Sequence, residues 1–155
     1  MIFDKRNEFA DAVSVAAAAG TALVGDVIDT TAIHRDLGQG DPVYLVITID
    51  TEIITGGVAG TVKFQLASDS TANLATSPTI HYDSGTFATG VAASNPLLGV
   101  GKTICVVALP IEGVVYERFL GILCVTGTTT TTAGKINAFL TLDPYKWAAY
   151  PEGAN

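Results

Sequence analysis

The run GVGKT at residues 99–103 is the stretch most suggestive of chemistry, because glycines leading to Lys102 and Thr103 are how a phosphate-cradling loop ends. Such a loop needs an earlier glycine where this chain has Pro96, and a helix afterward where TICVVAL (103–109) reads as a strand. The segment is therefore read as a glycine turn. His34, Arg35 and Asp36 copy a kinase catalytic triplet, but LGQGDP follows, without the downstream Asn, glycine-rich loop or DFG of that enzyme class. His34 and His81 are the only histidines, and neither has a second His or Cys at zinc-ligand spacing. Asp36 and Asp41 are read as solvated residues of a glycine turn rather than calcium ligands. The serines lack G-x-S-x-G context. Cys105 and Cys124 lie among Ile, Val and Leu and are expected to be buried small hydrophobes. No catalytic residue, metal site or cofactor is expected.

The elements that would have to position chemistry are mostly strands. The 155 residues suit one domain, and 48% hydrophobic content is enough to bury a core without disulfides. Only 15% of residues are charged and mean hydropathy is +0.42, so the surface is built from Thr, Ser, Asn, Gly and short apolar side chains. A net charge of -7 with no basic cluster argues against nucleic acid and against anionic membranes. The charged start MIFDKRNEFADAV does not read as a secretory signal, so synthesis and retention in a cytoplasm are expected. No apolar run approaches the roughly 18 to 20 residues of a membrane span.

From residue 23 onward, short β-rich runs alternate with turn signals: LVGDVID (23–29), VYLVITID (43–50), TVKFQLAS (61–68), TIHYD (79–83), TICVVAL, VYERFLGILCVT (115–126) and GKINAFLTLD (134–143). The spacing is that of an antiparallel sandwich or barrel, and the expectation is an all-β antiparallel sandwich of about seven or eight strands. Residues 1–20 are read as an N-terminal arm, 21–143 as the sandwich and 144–155 as a tail; residues 5–18 also fit a helix with Phe9, Ala12, Val13 and Ala16 on one face. In TVKFQLAS, Val62, Phe64 and Leu66 should point inward and Lys63 and Gln65 outward. In the last strand Ile136, Ala138, Leu140 and Leu142 should point inward, leaving Phe139 stranded on the polar face. TICVVAL is apolar on both faces and is expected to be central or covered by another subunit. TGTTTTT (126–132) is read as a stiff, extended turn.

Four segments in order carry a resemblance: the start MIFDKRNEFADA with Met1, Phe3, Asp4, Phe9, Asp11 and Ala12, then RDLGQGDPVYLVITI (35–49), GGVAGTVKFQLASDS (56–70) and TAGKINAFLTLD (132–143). Together they resemble the capsid cement, or decoration, proteins of tailed bacteriophages, the family typified by a Bordetella phage. Residues 84–102 and the tail PYKWAAYPEGAN depart from that pattern. The resemblance implies a jelly-roll-like virion protein that binds the outer surface of an icosahedral head as a homodimer, with the major capsid protein as partner, and staples neighbouring capsomers. Phe3, Asp4, Phe9, Phe139, Tyr145, Trp147 and Tyr150 are the residues expected in capsid or dimer contacts. The alternative is a carbohydrate- or receptor-binding sandwich of a phage tail or fibre, for which Tyr145, Trp147 and Tyr150 form the dense aromatic group.

Overall fold

The computed structural model describes residues 5–31, 42–57, 59–92, 94–110 and 115–144. Among them are nine strands: β1 (Glu8–Ser14), β2 (Gly20–Asp29), β3 (Tyr44–Thr55), β4 (Gly60–Asp69), β5 (Thr79–Asp83), β6 (Phe87–Thr89), β7 (Thr103–Ala108), β8 (Phe119–Gly127) and β9 (Thr131–Thr141). The helical content of the described residues is two short 3-10 turns, Lys5–Asn7 and Pro96–Leu98.

The strands form two antiparallel sheets, ordered β1-β9-β3-β7 and β2-β8-β4-β5, with β6 also pairing β4. Pairing is nested: β1 with β9, β2 with β8, β3 with β7, and β4 with β5 at the tip. This is a long ribbon wrapped into a jelly roll. All seven strands read from the sequence are present. Residues 8–14, assigned to an arm with helical spacing, instead form β1, paired with β9 and built into the sandwich. Alternation fails there because Ala12 takes a φ of +49°, which kinks the strand, and Asn137 Oδ1 accepts the Ala12 amide at 2.6 Å. β6 has only three residues, too few to carry a period.

The core lies between the sheets and includes Phe9, Leu45, Ile47, Ile49, Val62, Phe64, Leu66, Leu98, Leu120, Ile122 and Ile136. A smaller cluster joins Ala67, Leu74 and Leu123, with Leu23, Val27 and Phe119 packed on it. Leu74 reaches it from the β4–β5 loop, which is organised by Asp69. Asp69 Oδ1 accepts from the Ser70 hydroxyl and Thr71 amide, and Oδ2 from the Thr76 and Ser77 amides, at 3.0 to 3.4 Å. Burial pushes this carboxyl up, but the four hydrogen bonds together outweigh it and hold the carboxyl below the ordinary range.

Threonines close one end of the sandwich. Thr55, Thr89, Thr126 and Thr131 are buried; Thr89 Oγ1 donates to Thr55 Oγ1 at 3.1 Å and Thr131 Oγ1 to Thr126 Oγ1 at 3.4 Å. The threonine run thus supplies a buried hydroxyl pair as well as the β8–β9 turn.

One reading of the last strand needs correction. Leu142 was expected inward but is largely exposed, because β9 stops at Thr141, where the Thr141 hydroxyl accepts the Asp143 amide and turns the chain. Phe139, expected on the polar face beneath a covering partner or arm, lies outside the main core cluster and is 7% exposed, in register with Glu8 on β1 and Val46 on β3.

Candidate interaction surface

The densest polar arrangement is at the β4–β5 end. One extra residue on β5, His81, sits between the pairs Leu66–Tyr82 and Ala67–Ile80, and this bulge re-aims its ring. His81 Nε2 lies 2.6 Å from Ser68 Oγ, and the ring stacks on Tyr116 with centroids 4.0 Å apart. Ser68 Oγ accepts the Glu117 amide at 3.0 Å, and Thr79 Oγ1 donates to Glu117 Oε1 at 3.2 Å. Nδ1, on the other side of the ring, is a buried atom with no hydrogen-bond partner among the described residues. A serine beside a histidine is nucleophile-and-base chemistry in outline. Here Ser68 is fully buried, and the Glu117 carboxylate is engaged by Thr79. The cluster fastens β4 and β5 to the segment leading into β8. Sequence reasoning missed it because Ser68 and His81 meet only through strand pairing.

Burial holds the His81 imidazole below its ordinary pKa, against a smaller upward pull from Glu117. Just below the ordinary histidine value of about 6.5 the unfolded chain therefore binds more protons than the folded one. The His81 contribution to stability, complete above that pH, is lost as pH falls through it toward the lowered folded value. His81→Phe keeps the stack on Tyr116 and removes the titration, so its melting temperature should fall less between pH 7.5 and 5 than that of the wild type. Equal slopes would clear the ring of responsibility. Asp69 and Asp83, both held below the ordinary range, lose their contributions only at lower pH, from about 4 downward.

The other residues singled out from sequence fall as follows. Burial pushes the Cys105 and Cys124 thiols up to about 11, and both cysteines are free and buried. GVGKT is a turn, with Gly101 at a φ of +74°, opening directly into β7. His34, Asp36, Asp41, Phe3, Asp4, Tyr145, Trp147 and Tyr150 lie outside the described residues. Phe9, expected as a contact residue, is in the core and has no surface to offer. Among the described residues no group of three His, Cys, Asp or Glu could hold a metal ion, and no helix is long and apolar enough to cross a membrane.

β7, expected to be central or covered by another subunit, ends its sheet and so is not central, and exposed apolar side chains occur on it and in the connection that leads to it. Val91, Leu97 and Val100, in the connection from β6, are more than half exposed, and Val106 on β7 is 42% exposed. That connection is anchored: Leu98 is buried in the core, Asn95 Oδ1 accepts the Leu97 amide, Asn95 Nδ2 donates to the Ala88 carbonyl, and Gly101 N donates to Ile49 O. From Val91 to Pro110 the sequence carries a single charge, Lys102. Charge lies elsewhere, as in the ion pairs Arg118–Asp29 and Lys63–Asp83, both at 2.8 Å, and in a shallow cleft of about 370 Å³ lined by Lys5, Arg6, Glu8, Asp26 and Asp29. Arg118 grips Asp29 through both Nε and Nη2 and lies over the Phe119 ring.

These features define a jelly-roll protein in which one end strand, β7, carries no charged residue. A family model described as Bbp16 matches residues 9–140. The chain belongs to the Bbp16 family, which takes its name from a Bordetella phage protein. No curated protein matches it.

Proposed function

We propose that this chain is a non-enzymatic virion protein, a cement protein that binds the outer surface of a tailed-phage head as a homodimer and ties neighbouring capsomers together through the major capsid protein. Family membership over residues 9–140 is the observation that carries this reading. The chemistry agrees with it: the most nucleophile-like pair among the described residues, Ser68 and His81, is used as an internal fastener. Glue of this kind needs contact area and copy number. A dimer that engages two capsomers makes its second contact intramolecularly, so weak single contacts suffice, and binding only the assembled shell stabilises it by mass action.

Purified protein mixed with undecorated heads of the source phage should sediment with them, and cryo-electron microscopy should show added density on the outer surface at two-fold positions. Heads that stay bare while the protein binds glycans would replace this reading with that of a receptor-binding module.

A further inference from the structure

We propose that β7 is the dimer seam, pairing antiparallel with β7 of a second copy across a two-fold axis. The inference deepens the dimer of the preceding reading by naming the strand that makes it. Among the described residues β7 pairs with β3 alone, so no described strand lies along its other edge, where a further strand could pair.

Charge selects the occupant. The other strands at the ends of the two sheets carry carboxylates: Glu8 and Asp11 on β1, Asp26 and Asp29 on β2, Asp83 on β5. β7 carries none, and the adjoining 91–102 connection holds only Lys102. β6, which pairs with β4 alone, is uncharged too but only three residues long, so for a chain of net charge -7 β7 is the longer edge along which two copies approach without carboxylates on the strand itself. The outer face points the same way. Phe139, Val46 and Val106 are neighbours in register across β9, β3 and β7; the first two are buried and Val106, at the end of the row, is 42% exposed. A two-fold seam continues the row into Val106 and Val46 of the second copy. The extra residue Ile104 interrupts β7 pairing near its start, so Cys105–Ala108 is the regular part available for the seam.

Sedimentation of the wild type, Val106→Glu and Ile80→Glu over micromolar to hundred-micromolar concentrations tests this. Ile80 is a matched control, 41% exposed on β5 in the other sheet. A wild-type dimer, an Ile80→Glu dimer of equal affinity and a Val106→Glu dissociation constant raised at least about tenfold support the seam. Circular dichroism melts of both variants show whether each is folded. Hydrogen exchange of the wild type gives a reading free of mutation: the 105–108 amides should exchange more slowly in the dimer than after dilution to monomer. A wild-type dimer that Val106→Glu leaves intact, or whose 105–108 amides show no concentration dependence, overturns the seam and spares the dimer. A wild type that stays monomeric overturns the seam, while head binding, measured separately, still decides the cement reading.

Discussion

Gly25→Ala should lower the stability of the domain by more than about 3 kcal/mol, with a fall in melting temperature of about 10 °C. Gly25 sits on β2 at a φ of +69°, where any side chain is strained by about 1 to 2 kcal/mol. Its surroundings add more: a methyl here would overlap the Phe9 carbonyl oxygen and press on the backbone of Ala10. Those are main-chain atoms of β1, which cannot rotate away, so relief requires β1 to withdraw from β2 and uncover Phe9. Gly85 supplies the control, since its φ is +75° and nothing lies within 4 Å of the added carbon. Gly85→Ala should cost only the strain. Equal losses in the two variants, read from thermal or urea melts, would show that the close approach of β1 to β2 carries no weight.

Leu98→Ala should cost about 2 to 5 kcal/mol, the usual penalty for emptying a buried leucine site. Leu98 is fully buried among core residues, yet it belongs to a three-residue 3-10 turn in a connection between strands. Its neighbour Leu97 is largely exposed. Leu97→Ala should therefore change the stability of the isolated chain by no more than about 0.5 kcal/mol. The contrast between adjacent leucines, measured by denaturant titration, checks which one is the anchor; similar losses would mean that the turn is seated differently.

The strands legible in the sequence were those whose alternation survives intact. Val62, Phe64 and Leu66 enter the core while Lys63 and Gln65 both reach Asp83. β1 was hidden because the kink at Ala12 breaks its period of two, and the spacing of Phe9, Ala12, Val13 and Ala16 imitates a helix. Phe139 sits outside the main core cluster, as alternation implied, but burial on that side depends on what covers the sheet, which the strand's own residues do not encode. The position of β7 was ambiguous for a related reason: a strand apolar on both faces fits the middle of a sheet or an edge reserved for a partner, and topology places it at an edge. The Ser68–His81 fastener depends on a one-residue bulge, a register detail that a single sequence does not mark.

The nested pairing also fixes when the protein becomes whole. β1 leaves the ribosome long before its partner β9, which begins at Thr131. At translation rates of about 5 to 20 residues per second, Phe9 waits on the order of 6 to 25 seconds for the strand beside it. The β4–β5 pair, close in sequence, can form early; each outer pair then closes a longer loop than the last. A nascent chain stalled before residue 131 would have the inner ribbon and an unpaired β1, and would be a substrate for chaperones until the final strand is released.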